Sequence, residues 1–296
     1  MTVGRHLLPA LGALGSHRVA RARRLLPIYG LLLPGLLLYG VWAAYPLISS
    51  FLLSFTEWNL TKPTVFIGLD NYTRALGDPL FWRALSSTLG YTVVTVAGQL
   101  VLGLGAALLL NQRIPGRSVL RLVYYLPVIT SWVIVSLVFL YLYNGQAGAL
   151  NWLLKDVLGV IDKNVAWLAE PSTALWAIAV LGIWKGIGWT MVVFLAGLQS
   201  VPEELYEASS MDGAGVWARF RHITLPFLRS TSTFLLVVLT IGGPLNSTDV
   251  ALTYMWKQAF TEIDLGYGAA LSFLLAAAIG LISIVEFRMI RRQETA

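Results

Sequence analysis

The 296-residue sequence contains no cysteine, which excludes a disulfide framework and any thiolate metal site. Charge is scarce: 12% of residues are charged, against roughly 25% for a water-soluble domain. Histidine is confined to His6, His17 and His222, too scattered to form a metal cluster by local spacing. No G-x-x-x-x-G-K-[ST] phosphate loop occurs, so ATP hydrolysis is not expected of this chain. H-E-x-x-H and G-x-S-x-G are missing as well. Glu203, Glu204 and Glu207 sit on one exposed helix end rather than as a catalytic pair, so no catalytic residue, metal or cofactor is expected. A soluble domain, a linker and an internal repeat are not found either.

Apolar sequence is abundant instead. The chain is 57% hydrophobic, and its mean hydropathy is +0.71. Eleven Trp and twelve Tyr fit rings placed at membrane interfaces. A spanning helix needs about 20 mostly apolar residues. Runs at 25–48, 84–110, 119–143, 173–198 and 266–287 meet this, and a short fifth run lies at 231–241 before the last. The first run could be a cleaved signal peptide behind Arg18, Arg21, Arg23 and Arg24. Its apolar core is too long for that, and no small-x-small site follows before Tyr45-Pro46, so it is read as a retained span.

The basic residues then orient the spans. Arg5, Arg18, Arg21, Arg23 and Arg24 precede the first span; Arg113, Arg117 and Arg121 join the second and third; Arg219, Arg221 and Arg229 precede the fifth; Arg288, Arg291 and Arg292 end the chain. The opposite connections hold only Lys62, Arg74, Arg83, Lys155, Lys163 and Lys257. The bias puts both termini in the cytoplasm, with a basic tail at 1–24, a six-span all-α domain at 25–290 and a short tail at 291–296. The net charge of +6 is thereby explained by topology, and no nucleic-acid partner is expected.

The stretch "YEASSMDGAGVWARFRHITLPFL" (206–228) is polar between apolar runs. "VPEELYEASSMDGAG" reads as a helix with Pro202 in its first turn and acids toward its N-terminal end. Gly213 can take the positive φ that ends it. "VWARFRHI" reads as a second short helix with Val216, Phe220 and Ile223 on one face, and Pro226 sets a boundary before the fifth span. The expected product is a cytoplasmic helix-turn-helix that exposes Tyr206, Met211 and Trp217. It would serve either as a docking knob for another protein or as an interfacial connector.

Glu207-Ala208-Ser209, three residues, Gly213, nine residues, then Ile223-x-Leu225-Pro226 resembles the EAA signature of permease subunits in binding-protein-dependent ABC importers. Ser209 replaces the second Ala. The flanks resemble the sugar-uptake branch, the maltose and glycerol-phosphate type. So do "FIGLDNY" (66–72), "YYLPVITSWVIVSLVFLYLYNGQAGALNWLL" (124–154) and "GGPLNSTDVALTYMWKQAF" (242–260). The resemblance covers roughly residues 28 to 290. It implies a multi-pass protein of the bacterial cytoplasmic membrane that forms half of a pathway for a carbohydrate or related polar solute. The partners it implies are a cytoplasmic ABC ATPase dimer, a second homologous permease and an extracytoplasmic solute-binding protein. ATPase coupling would fall to Glu203, Glu204, Glu207, Ala208, Asp212, Gly213, Ala214, Arg219, Ile223, Leu225 and Pro226, on a coupling helix between spans four and five.

Lys185 lies inside the fourth span, and an intramembrane charge is a functional hypothesis by default. It either snorkels to the outer interface or pairs structurally, or it forms a wall of the solute path, with Trp184 or Trp189 offering a ring face. The resemblance adds Gly182 and Gly186 to these pathway candidates. Gln99 reads as a helix–helix hydrogen bond, and Glu286 as an interfacial group. The fifth run is shorter than the family pattern, so the expected span recruits Thr224 onward, covers 224–241, and leaves "GGPLNSTD" as an outer loop. The alternatives are a secondary transporter or channel, which would call for internal symmetry and intramembrane acids, and a membrane enzyme, which would call for paired His or acids at one depth.

Overall fold

The computed structural model describes residues 29–60, 63–247 and 251–294, with the expected basic tail 1–24 and the last two residues of the tail 291–296 outside them. The described chain is mostly helical. Four helices are long and apolar enough to cross a membrane, or up to six if two bent helix pairs each count as one span. The chain divides into two compact units, Met1–Thr73 with Gln258–Ala270, and Arg74–Lys257 with Leu271–Ala296.

In the first unit, α1 runs Tyr29–Leu53, a few residues later than the run expected at 25–48. Its side chains are apolar all round and exposed, Leu31 and Trp42 being 84% and 77% accessible. Such a helix is stable only where the solvent is itself apolar. A short antiparallel ribbon follows, β1 (Thr56–Glu57) on β2 (Val65–Phe66), with Thr56 opposite Phe66. Buried Asn71 ties it down, donating from Nδ2 to the carbonyls of Ser54 (3.0 Å) and Thr56 (2.9 Å). Asn71 is the second residue of α2 (Asp70–Gly77) and belongs to the "FIGLDNY" segment.

The second unit is built on α3 (Pro79–Asn111) and α7 (Pro171–Gln199). Asp78 caps α3, its carboxylate accepting from the Leu80 amide at 2.8 Å, and Pro79 stands where an N–H is not needed. The 33 residues of α3 extend about 50 Å, more than a bilayer core. Its buried threonines satisfy themselves: Thr88, Thr92 and Thr95 donate to Ala84, Thr88 and Tyr91 carbonyls one turn back. The two helices approach closely because glycines alternate along the seam. Gly98 meets Ile183 and Gly103 meets Thr190; from the other side Gly182 meets Tyr91 and Gly186 meets Gln99. Gln99 Nε2 donates to the Gly182 carbonyl at 3.2 Å, the interhelical bond expected of it. The core closes at one end of the pair with Ala107, Leu110, Met191, Phe194, Leu198, Leu228 and Leu235.

The remaining helices differ from the sequence expectation in two places. The expected span 119–143 is two helices, α4 (Arg117–Ile129) and α5 (Trp132–Leu142), bent by 96°. Thr130 and Ser131 are extended between them, three residues after Pro127. A loop with the short α6 (Ala149–Asn151) leads on to α7. After it come α8 (Glu203–Met211) and α9 (Val216–Phe227), and the latter is bent by 61° against α10 (Arg229–Ser247). The helix of the fifth run, α10, therefore starts at Arg229, while Thr224 to Leu228 belong to α9 and the break. It gains its length at the other end, where helix continues through Gly242 to Ser247 in place of the expected outer loop. Last come α11 (Ala251–Trp256) and α12 (Leu265–Glu294).

Candidate functional site

Three places carry the residues singled out by sequence. The first is the helix-turn-helix of α8 and α9. Pro202 precedes α8, and Glu203 and Glu204 occupy its first turn, at the positive end of the helix dipole. The turn is a Schellman motif. Gly213 has φ 77°, its amide donates to the Ser210 carbonyl at 3.2 Å, and the Ala214 amide donates to Ser209 at 2.9 Å. A Cβ at Gly213 would meet no atom, so conformation rather than space requires glycine here.

Glu203, Glu204, Glu207, Ala208, Asp212, Leu225 and Pro226 are exposed, while Ala214, Arg219 and Ile223 are half-buried. Met211, Val216 and Trp217 form an apolar tip, 85%, 79% and 71% accessible, with Trp217 stacked on Phe220 at 5.4 Å between ring centres. Tyr206 departs from expectation. It is half-buried, its Oη 2.9 Å from Thr224 Oγ1, because its place in the helical repeat turns it toward α9. The arrangement is a rigid acidic arm with an apolar tip, the kind of surface that buries anchors in a complementary cleft.

The second place is the middle of α7. Lys185 is 5% accessible. Its Nζ donates to the carbonyls of Pro127 and Thr130, both at 2.7 Å, with Val128 at 3.5 Å, and lies 4.7 Å from the centre of the Trp132 ring. Gly182 and Gly186 are taken up by the contact with α3. Of the five pathway candidates, Trp184 and Trp189 are part-exposed, 44% and 40% accessible, with the Trp184 ring tilted against Phe139 at 5.4 Å between centres. Gly182, Lys185 and Gly186 face protein within this chain, and Lys185 pairs with main-chain groups of it. Sequence could not show it, since the partners of Lys185 are main-chain carbonyls at a helix break inside an apolar run.

The third place is the loop between α5 and α7. Buried Asn151 is its hub, donating from Nδ2 to Gly145 (3.2 Å) and Val165 (3.0 Å) carbonyls. Its Oδ1 accepts from the Val165 amide at 3.2 Å and the Trp167 indole at 2.9 Å. A cleft of about 360 Å³ beside it is lined by Tyr141, Gln146, Trp152, Asp156 and Asn164 among others. One further polar contact lies on α12, where Thr240 Oγ1 donates to Glu286 at 3.0 Å, so Glu286 makes a helix–helix bond. Among the described residues no three His, Asp or Glu side chains gather as a metal site.

These features sit in a chain with clear relatives. Residues 99–294 match the family described as binding-protein-dependent transport system inner membrane component. A probable ABC transporter permease protein of Brucella suis is 36% identical, covering 92% of this chain and 98% of its own length. The sulfoquinovosyl glycerol transport system permease protein SmoG of Agrobacterium fabrum is 34% identical over 89% of this chain and 90% of its own. Among solved structures, a bacterial ABC transporter involved in importing the acidic polysaccharide alginate superposes with a TM-score of 0.81 at 23% identity, covering 93% of this chain and 99% of that one. The same transporter class in complex with an alginate-pentasaccharide-bound periplasmic protein gives 0.80 at 22% identity, over 92% and 96%. At these identities the two structures establish the fold.

Proposed function

The chain belongs to the binding-protein-dependent transport system inner membrane components, as a multi-pass ABC transporter permease, and we propose that it forms half of the translocation pathway of an importer for a carbohydrate. ATP hydrolysis falls to a separate cytoplasmic ATPase dimer that docks on α8 and α9. A second, homologous permease supplies the other half, and an extracytoplasmic solute-binding protein delivers the solute. Both termini lie in the cytoplasm, and six helical spans cross the membrane, α4 and α5 together making the third and α10 the fifth.

The observation that carries the docking role is the exposed helix-turn-helix itself. Glu207 stands free on its outer face, the Schellman turn at Gly213 fixes the angle of the two arms, and Trp217 and Met211 project at the tip. Glu207 meets a basic group of the ATPase, while Ala208, Asp212, Ala214, Arg219, Ile223, Leu225 and Pro226 hold the shape of the knob. Closure of the ATPase dimer displaces the knob, and α7, separated from α8 by three residues, carries that displacement into the membrane. The carbohydrate assignment draws on the naming of SmoG and of the alginate transporter. The exposed parts of Trp184 and Trp189 are the surfaces that would meet a sugar.

The deciding experiment is uptake of labelled saccharide by proteoliposomes holding this chain, its companion permease and the ATPase, with the solute-binding protein added outside. ATP-dependent uptake that needs all four is expected. Uptake driven by an ion gradient in vesicles containing this chain alone would establish the secondary-transporter alternative instead.

A further inference from the structure

The break between α4 and α5 leaves main-chain carbonyls at the negative end of α4 with no amide to accept, inside a segment that is otherwise apolar. In hydrocarbon each such group must find a donor within the protein. Thr130 Oγ1 supplies one, to Leu126 at 2.9 Å. Lys185 supplies a donor from another helix. Its Nζ sits 2.7 Å from both the Pro127 and the Thr130 carbonyls, so one ammonium bonds a carbonyl of the last turn of α4 and the carbonyl of the residue where the chain turns away. The Trp132 ring at 4.7 Å, in the first turn of α5, closes the other side of the cation. A positive charge here also meets the partial negative charge of the α4 terminus. Ordinary helix-ending devices act within one helix. This one reaches across from α7, at the middle of a helix running from Pro171 to Gln199.

We propose that Lys185 is a positioning residue for transport: it holds the broken span at its bend and makes α7 the lever that moves it. The transport consequence rests on reading α8 and α9 as the ATPase dock. The pinning itself does not. From Gln199, at the far end of α7, only Ser200, Val201 and Pro202 intervene before α8. A push on α8 therefore reaches the bend through one rigid helix and one ammonium. On α7 itself, Gly188 lets its backbone lie against the Tyr124 carbonyl of α4, and Trp184 packs on Phe139 of α5, so the lever touches the broken span on both sides of the residue that grips it.

The chain is free of cysteine, so paired spin labels can be placed at will. Val123 on α4 and Leu140 on α5 are both exposed, and cysteines there report the bend. In the otherwise native chain a single narrow distance is expected. In Lys185→Met that distance should be lost to a broad distribution, and Lys185→Arg, which keeps donors for both carbonyls, should restore much of it. In the reconstituted transporter, Lys185→Met should still co-purify with the ATPase while stimulation of hydrolysis by the loaded solute-binding protein is lost. An unchanged narrow distance in Lys185→Met overturns the proposal, even where the ATPase binds. Failure of the native chain to bind any ABC ATPase would instead overturn the docking reading and leave the distance result standing. If Lys185→Met does not accumulate, amine acylation of the native chain decides: Lys185 should stay unmodified while Lys155, Lys163 and Lys257 react, and labelling of Lys185 as fast as these removes the pin.

Discussion

Tyr206 Oη and Thr224 Oγ1 are 2.9 Å apart, and this one bond joins the two arms of the helix-turn-helix across eighteen residues of sequence. Thr224 is buried, and α9 breaks at Leu228 just beyond it. The bond thus ties α8 to the end of α9, next to the start of α10.

Tyr206→Phe removes the bond while keeping the ring. The cost should be about 1 kcal/mol, felt locally as roughly fivefold faster amide exchange in α8. Exchange mass spectrometry on the purified chain reads it directly. Unchanged protection of residues 205–211 would show that the turn alone fixes the arms.

Glu207→Lys should leave the protein in the membrane and abolish its hold on the ATPase. The side chain is exposed and its replacement buries nothing, so folding has no reason to suffer. Reversal of a close charge pair at an interface costs several kcal/mol when partly desolvated. Co-purification with the ATPase at native yield, with native uptake, would sink the docking role.

Gly213→Val should damage assembly more than Ala208→Gly. At φ 77° a β-branched residue is strained by about 1–2 kcal/mol, and relaxing that strain rotates α9 away from α8. Ala208→Gly also costs about 1 kcal/mol, but as chain entropy in the middle of α8, with the turn left intact. The two variants compared in one ATPase titration make the test. Equal binding by both would mean that the angle between the arms does not matter.

The turn was readable because its requirement is a residue type: only glycine takes that φ at no cost, and it follows a helix-favouring run. Tyr206 was misjudged because its neighbours are acids, whereas its direction depends on helical phase relative to α9, which the composition does not carry. The bend at Thr130 and Ser131 was hidden for a related reason. Pro127 alone in an apolar run is compatible with a continuous, kinked span, and what stabilises a full break is Lys185, nearly sixty residues away. The end of α10 failed in the other direction. Gly242, Gly243 and Pro244 read as loop, yet the helix runs through them to Ser247.

Asn151→Leu should unfasten the loop between α5 and α7. The substitution is close in volume, but it strands the Trp167 indole and the Val165 amide, along with carbonyls of Gly145 and Val165. Each buried group left without a partner costs about 1–3 kcal/mol. Limited proteolysis from the outer face should then cut between residues 144 and 166, with uptake lost and ATPase binding kept. Resistance equal to that of the native chain would mean that the loop is held by packing alone.

The last prediction concerns whether α10 crosses the membrane. Nineteen residues give about 28 Å, slightly short of a 30 Å core, and a mismatch of that size costs only fractions of a kcal/mol per Å. Packing argues that it does cross. Leu228, at the break before α10, and Leu235 lie in the core with Leu110, at the end of α3. Thr240, further along, lines a small void with Thr88 and Thr92. Past α10, the Ala251 amide donates to Thr88 Oγ1 at 3.3 Å and Tyr254 donates to the Asp78 carboxylate that caps α3. The helix therefore runs the length of α3 in the opposite direction, and α3 is long enough to span. The basic cluster Arg219, Arg221 and Arg229 at its start favours the cytoplasm for that end. Single cysteines at Ser210 and Thr253, both exposed, test the argument in intact cells with an impermeant thiol reagent. Thr253→Cys should label and Ser210→Cys should label only after the membrane is opened. Equal behaviour of the two sites would put both on one side, reduce the chain to five spans, and leave the α8–α9 knob with no crossing helix to move.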